Sequence, residues 1–138
     1  MQLPSLTVAL LSLVGATQAW ELTGYALSEA CNDMKGPYRV LTGASNLNSC
    51  FTFTKDMPGT QCTHYTKGGA TRSNCDKNSF TYPTSVKVRG TCAIYNLPNC
   101  DASNGISVIL SGNGECGSFP SKNYVGGWMP INSFQCWD

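Results

Sequence analysis

The stretch Ser85-Val-Lys-Val-Arg-Gly-Thr-Cys-Ala-Ile-Tyr95 decides the fold class. In its first half two valines alternate with the charged Lys87 and Arg89, which is the period of a strand with one buried face. Gly90 interrupts this pattern, and a second apolar segment, Cys92-Ala-Ile-Tyr95, follows it. We therefore predict two consecutive short strands here.

Strand signals of the same kind recur on both sides of this stretch. They are Tyr38-Arg-Val-Leu-Thr42, Cys50-Phe-Thr-Phe-Thr54, Ile106-Ser-Val-Ile-Leu110 and Ser133-Phe-Gln-Cys-Trp137. Turn signals separate them, at Gly68-Gly69, Asn104-Gly105, Gly112-Asn-Gly114 and Gly126-Gly127. Helix periodicity is missing, because the nearest candidate, residues 22–34, loses its pattern at Gly24. The pattern predicts an all-β sandwich or Greek-key barrel.

Residues 55–79 differ from the rest of the chain. They are rich in Thr, Gly, Lys and Asn, and residues 63–66 form their one predicted strand. We expect a long surface excursion that a bond between Cys62 and Cys75 closes. A connection of this length favours a functional role over a passive one.

Residues 1–19 have the features of a secretory signal peptide. An apolar run, residues 6–14, is too short to span a bilayer, and the small-x-small ending Thr17-Gln-Ala19 follows it. We therefore expect a secreted chain in which residues 20–138 form a single domain.

All eight cysteines lie in this expected mature chain. They are Cys31, Cys50, Cys62, Cys75, Cys92, Cys100, Cys116 and Cys136. An even number behind a signal peptide predicts four disulfides, although spacing alone leaves 105 possible pairings. Close Cys-x2-Cys pairs of the kind that bind zinc are missing, so we predict no metal and no cofactor.

The charge balance excludes two classes of partner. Nine basic and eight acidic residues give a net charge of +1. Nucleic-acid binding and capture by a membrane surface both rely on dense positive charge. We therefore expect no nucleic-acid partner and no stable membrane insertion. We expect a monomer that meets an extracellular protein receptor or a wall polysaccharide.

The two halves of the chain resemble the paired Greek keys of the βγ-crystallin family. Residues 86–95 resemble the link between two crystallin motifs, residues 105–110 its glycine-led strand, and residues 128–134 its Trp-containing turn. Tyr25, Gly36 and Ser85 stand in similar roles in the first half. The resemblance implies a small, disulfide-rich Greek-key sandwich.

The calcium loops of that family do not carry over. The corresponding segments, Phe80-Thr-Tyr-Pro-Thr-Ser85 and Trp128-Met-Pro-Ile-Asn-Ser133, keep the closing Ser but lack the leading Asp or Asn residues. Because Ca²⁺ binds through oxygen ligands, we predict that the chain needs no calcium.

Catalytic chemistry has little support in the sequence. His64 is the only histidine, and the sequence gives no reason to bring it close to Glu115 and Arg72, the partners that a small ribonuclease would use. The acids stand singly among polar residues, unlike the paired carboxylates of glycosidases. With every cysteine in a disulfide, no thiolate remains as a nucleophile. We predict no catalytic residue and no enzyme.

A contact surface is the better prediction, because aromatic and basic residues dominate binding interfaces. The candidate residues are His64, Tyr65, Lys67 and Arg72 in the excursion, and Tyr124 and Trp128 beside a glycine turn. Most aromatic residues of a small β-domain fill its core, and this remains the alternative for Trp128.

The signal peptide, length, cysteine count and low charge are similar to those of the small secreted cysteine-rich proteins of filamentous fungi. That resemblance implies an effector or elicitor that a plant cell surface recognises and that induces cell death or defence. An antimicrobial or killer toxin, or a wall-carbohydrate-binding protein, is the alternative. A small hydrolase or a protease inhibitor comes third.

Overall fold

The computed structural model of the chain describes residues 18–32, 36–75, 82–120 and 127–137. Within these residues the backbone forms nine antiparallel strands and two short 3-10 turns, at Lys67–Gly69 and Pro98–Cys100. The strands are β1 (Gln18–Tyr25), β2 (Tyr38–Ala44), β3 (Cys50–Thr52), β4 (Gln61–Thr66), β5 (Thr71–Asn74), β6 (Ser85–Tyr95), β7 (Ser107–Pro120), β8 (Trp128–Met129) and β9 (Ser133–Trp137). The predicted all-β class is confirmed.

The central stretch forms one long strand, β6, and not two separate strands. β7 pairs with the whole length of β6 and so occupies one edge of β6. On the other edge β1 pairs with residues 85–89 and β9 with residues 91–95. Gly90 lies between these two pairings with φ +92°, a left-handed conformation that glycine adopts without strain. β6 therefore belongs to two groups of strands.

These pairings define two motifs of four strands each. The first motif contains β1, β2, β3 and residues 85–89 of β6; the second contains residues 91–95 of β6, the two parts of β7, and β9. Each motif contributes its third strand to the other: β3 pairs with β9, and residues 115–118 of β7 pair with β6. This exchange is compatible with Greek keys of the βγ-crystallin type, and the crystallin likeness stays a resemblance.

Two buried serines show how closely the motifs correspond. Ser85 lies opposite Tyr25 in the first motif, and Ser133 lies opposite Tyr95 in the second. Each hydroxyl donates to a carbonyl in the loop after the first strand and accepts from the backbone N–H of a cysteine in that loop. The partners are Ser28 and Cys31 for Ser85, and Leu97 and Cys100 for Ser133. In both motifs the serine hydroxyl therefore holds the loop against the fourth strand.

All eight cysteines are paired, which confirms the prediction of four disulfides. The bonds are Cys31–Cys116, Cys50–Cys100, Cys62–Cys75 and Cys92–Cys136. The first two correspond, because each joins the loop after one motif's first strand to the third strand of the other motif. They therefore fasten the strand exchange. Cys62–Cys75, the one pairing expected from the sequence, closes residues 62–75.

One apolar core lies between the two groups of strands. Trp20 of β1 reaches across it to Phe51 and Phe134, with ring centroids 6.4 and 6.0 Å apart. Its indole N–H donates to the carbonyl of Leu47 at 2.9 Å. The buried aliphatic and aromatic members include Leu22, Leu41, Phe53, Val86, Val88, Ile94, Leu110, Phe119 and Ile131. The core thus contains residues from both motifs.

Other features of the strands also differ from the predictions. The segment Gly112-Asn-Gly114 is part of β7 and not a turn: the pairing register shifts between Arg89 and Val88, which leaves Gly114 without a partner. The positive φ angles of both glycines, +115° and +104°, form a β-bulge within a continuous strand. β1, β5 and β8 are absent from the predicted strands, although apolar and polar residues alternate over residues 20–23 of β1.

Candidate functional site

The connection from the third to the fourth strand is the main difference between the motifs. In the second motif it comprises residues 121–132, whereas in the first it comprises residues 53–84. The longer connection includes β4, β5 and the Cys62–Cys75 bond. We call its described part, residues 53–75, the insert; it overlaps most of the excursion predicted at residues 55–79. Two features of the insert could bind a ligand.

The first feature is the β4–β5 hairpin. β4 pairs with the outer edge of β2, and β5 pairs with β4. Lys67 lies in the connecting turn, and Arg72 lies on β5 opposite Tyr65; both basic side chains are exposed. Residues 61–75 contain no Asp or Glu. The hairpin is therefore a positively charged projection at the edge of the sheet.

Tyr65 of this hairpin packs against a tyrosine of β2. Its ring stacks on that of Tyr38, with centroids 4.8 Å apart and planes 10° apart, and Tyr38 in turn contacts Tyr25 at 5.7 Å. The ring faces are therefore turned toward one another across β1, β2 and β4. This row of tyrosines anchors the hairpin to the sheet. It leaves less aromatic surface for stacking on a sugar than three separate, exposed rings would.

The remaining candidate contact residues do not join this surface. His64 lies opposite Arg39 on β2, one residue out of phase with Tyr65, so it belongs to the other face of the hairpin. Trp128 is half-buried on β8, whose described pairing is with the end of β7. Tyr124 lies outside the described residues. Tyr65, Lys67 and Arg72 are thus the members that the structure brings together.

The second feature is a pocket of about 400 Å³ between β2 and the insert. The turns of residues 53–60 form one wall, where Thr60 donates its hydroxyl to the Met57 carbonyl at 2.7 Å. Leu41 and the Cys62–Cys75 bond form the other wall. This volume lies in the lower part of the range of about 300–1,000 Å³ found for small-molecule pockets. A ligand with a single ring would fit this volume better than a polymer chain would.

Arg39 is the most unusual residue of this pocket. Its side chain is only 7% exposed, and its guanidinium carbon lies 5.4 Å from the centroid of the Phe53 ring, within cation–π range. Burial lowers the pKa of Arg39 to about 10, so the group remains charged at neutral pH. A buried cation costs stability relative to an apolar residue of similar size. The guanidinium gives this side of the pocket a positive charge that would attract an anion.

The charges around the pocket limit the kind of anion. Lys55 and Asp56 also line it, so the lining has a net charge of +1 with Arg39 included. Lys55 donates to the side-chain oxygen of Asn99 at 3.3 Å, which ties the insert to the second motif. The planar guanidinium matches the two oxygens of a carboxylate. A singly charged carboxylate therefore suits the pocket better than a phosphate.

Arg39 is not among the residues singled out from the sequence, but a signal for it exists there. In Tyr38-Arg-Val-Leu-Thr42 the arginine is in phase with Leu41, so strand alternation turns both toward the core side. A charged residue on the apolar phase of a strand indicates either a structural or a binding role. The pocket itself could not be inferred, because it depends on where the insert packs.

Two searches of the described residues bear on other kinds of site. Over residues 18–32, 36–75, 82–120 and 127–137, no group of three or more His, Cys, Asp or Glu residues is placed to hold a metal ion. In the same ranges no helix is long and apolar enough to cross a membrane.

Together the strands, the four disulfides and the insert define a small, disulfide-rich β-domain with an exposed hairpin at one edge. A family model described as the C-terminal domain of the secreted LysM effector LysM14 matches residues 20–136, and the chain belongs to this family. The predictions of a secreted location and of the effector class are confirmed. The family is a secreted effector domain and not a class of enzyme. No curated protein and no solved structure matches the chain.

Proposed function

We propose that this effector domain acts outside the cell without catalysis, and that a plant cell-surface protein recognises it and starts a defence or cell-death response. The observation that carries the proposal is the exposed, positively charged β4–β5 hairpin. We further propose that a signal peptide, residues 1–19, is removed after Ala19. The family match supports this cleavage site, because it begins at Trp20.

The hairpin has the properties that a recognition element needs. The Cys62–Cys75 bond and the Tyr38–Tyr65 stack hold its shape, so little conformational freedom is lost on binding. Lys67 and Arg72 extend from it as exposed cations. Exposed charges steer association and select partners, so the complementary receptor surface would be acidic.

Charge reversal on the hairpin tests this proposal. The purified mature protein and a Lys67→Glu, Arg72→Glu variant are infiltrated into leaf tissue, and both are added in parallel to fungal and bacterial cultures. The expected result is leaf necrosis or a defence response with the native protein, a loss of that response with the variant, and unchanged microbial growth.

The matched control is Lys87→Glu, Arg89→Glu on β6, which changes the charge equally at two exposed positions away from the insert. It should keep the leaf response. Equal loss in both variants would point to overall charge and not to the hairpin. Microbial growth inhibition without a leaf response would overturn the proposal in favour of a toxin.

The Arg39 pocket favours a second candidate function, namely binding of an acidic wall polysaccharide. A hexuronic acid unit combines one carboxylate, a ring of C–H groups and several hydroxyls. The carboxylate would meet Arg39, and the C–H groups would meet Phe53 and Met57. The hydroxyls would meet Asp56 and Thr54. An aromatic acid could also place its carboxylate at Arg39, but it would offer no hydroxyls to Asp56 and Thr54.

Two sugars that differ mainly in one carboxylate test this candidate. Galacturonic acid and galactose are titrated at millimolar concentration into ¹⁵N-labelled protein while amide NMR shifts are followed. Galacturonic acid should shift amides of residues 39–41 and 53–60, and galactose should not. Arg39→Met should weaken the binding about tenfold or more, since a charge-assisted hydrogen bond contributes about 1.5–3 kcal/mol.

Arg72→Met is the control for this titration, because it removes an exposed arginine from the hairpin and leaves the pocket intact. It should change the affinity by less than about twofold, in line with the small contribution of exposed charges. Equal shifts with both sugars, or none with either, would count against the polysaccharide candidate. Neither outcome affects the leaf test.

A further inference from the structure

The edge of β7 from Ser107 to Ser111 is free in the part of the chain that the structure describes. β7 pairs with β6 on one side, and β8 covers only its end, at Phe119 and Pro120. In the first motif the corresponding strand is β2, and β4 of the insert occupies its outer edge. The second motif therefore exposes the edge that the insert covers in the first.

Three exposed side chains at or beside this free edge are apolar. Ile109 is 65% exposed, and Ile106 and Val108 are also exposed. The sequence contains no charged residue from 102 to 114. Exposed edge strands are usually protected by charges, because their unpaired backbone groups accept another strand readily. The nearest charged residue in sequence after this segment is Glu115, whose carboxylate accepts from the N–H of Ser111 at the end of the edge.

Hydrogen bonds show which backbone groups face the free edge. The N–H of Asn96 donates to the carbonyl of Ile106 at 3.2 Å, so residue 106 faces β6. Because these directions alternate along an antiparallel strand, Ser107, Ile109 and Ser111 face outward. The N–H of Ser111 confirms this direction, since it donates to the Glu115 carboxylate at 2.6 Å.

We propose that two copies of the chain associate through this edge, antiparallel, about a two-fold axis at Ile109. The segment Ser107-Val-Ile-Leu-Ser111 reads almost the same in both directions. The rotation pairs Ser107 with Ser111, Val108 with Leu110, and Ile109 with its own copy. The two Ile109 residues then exchange two N–H···O bonds, and each Ser107 N–H reaches a Ser111 carbonyl.

The size of the contact sets its strength. Two strands of five residues form an interface below about 1,200 Å², which is typical of weak, transient association. The gain comes from covering Ile106, Val108 and Ile109 and from pairing backbone groups that water otherwise solvates. The monomer expected from the sequence then describes the protein only in dilute solution.

Sedimentation velocity over a wide concentration range tests the association. The native mature protein should show a rising weight-average mass, and Ile109→Lys should remain a monomer throughout. Thr71→Lys is the control, because it adds the same charge to the exposed strand β5. A native protein that stays monomeric, or equal loss in both variants, would overturn the proposal.

Cysteine trapping tests the register. Under mild oxidation Ile109→Cys should crosslink with itself, because residues directly opposite in an antiparallel pair have Cα atoms about 5.5 Å apart, within disulfide range. Ser107→Cys alone should crosslink slowly, and a mixture of Ser107→Cys with Ser111→Cys should crosslink fast. Equal rates for all of these and for Thr71→Cys would contradict the two-fold axis at Ile109.

Discussion

The two motifs share their strand pairings, their buried serines and a pair of corresponding disulfides, but they differ at one edge. Leu41 of β2 and Leu110 of β7 occupy matching positions, so Arg39 matches Val108, two residues earlier in each strand. Arg39 is buried beneath the insert, whereas Val108 is 38% exposed. The same strand position is thus a buried cation in one motif and an exposed apolar residue in the other.

This difference separates the residues that make the fold from those that make the surface. The shared features build one core, to which the insert contributes Phe53, and they fix both loops. The insert adds the hairpin, the pocket and a covered strand edge to the first motif. The second motif keeps a bare edge. We infer that binding specificity is located in the insert, and that variants can alter it without unfolding the core.

Trp20→Ala should have the largest effect, because one side chain serves both motifs. Trp20 packs against Phe51 and Phe134, and its indole ring occupies the space that a side chain at Gly43 would need. We expect a loss of about 3–5 kcal/mol in the free energy of unfolding, measured by denaturant titration with circular dichroism. Half-buried Trp128→Ala should cost less; equal losses would contradict the central role of Trp20.

Removing one disulfide at a time should show which bond stabilises the whole domain and which stabilises only the insert. Replacing Cys50 and Cys100 by Ser should destabilise the whole domain by about 2–4 kcal/mol. Replacing Cys62 and Cys75 by Ser should act mainly on the insert, because that bond spans only 13 positions and has no counterpart in the second motif. Hydrogen exchange should then accelerate in β4 and β5 and stay unchanged in β6. Acceleration throughout β6 would show that the insert is part of the cooperative core.

Arg39→Met should lower the free energy of unfolding by less than Leu41→Ala does, because methionine keeps most of the buried volume of the arginine and can still contact the Phe53 ring. Leu41→Ala, two positions away in the same strand, should cost about 2–5 kcal/mol in the same denaturant titration. A loss of more than about 3 kcal/mol with Arg39→Met would identify Arg39 as a structural residue. That result would count against a role for Arg39 in ligand binding.

The strands that could be predicted are those whose local pattern agrees with their final environment. In β6 and β9 the apolar residues face the core, and their predicted positions are correct. β7 extends beyond its predicted end, because glycines that usually indicate a turn form a bulge here. Glycines within a strand pattern are compatible with a turn or with a bulge, so the segment alone left both alternatives open.

The candidate site could be predicted only in part. The insert stands out by its composition, and Lys67, Arg72 and the Cys62–Cys75 pairing follow from it. The separation of His64 from Tyr65 follows from strand alternation and could have been foreseen. The pocket could not, because the distance between Arg39 and Phe53 depends on how the turns after β3 pack against β2. The crystallin resemblance placed Ser85 and Ser133 in corresponding positions, but their hydrogen bonds to the two loops depend on the folded structure.

The smallest expected effect concerns the serine-held loops, where Asp101 follows Cys100 as Asn32 follows Cys31. Hydrogen bonds from the side chains of Ser103 and Asn104, and from their backbone N–H groups, lower the pKa of Asp101 from 3.8 to about 2. A lowered pKa means that the ionised carboxylate contributes stability above pH 4 and that this contribution disappears as the pH falls toward 2. Asp101→Asn copies the first motif and should flatten this dependence in melting temperatures measured from pH 2 to 5. Because solvent screens the carboxylate, the difference between the two proteins should be small, and an equally steep acid dependence in the variant would assign it to another group.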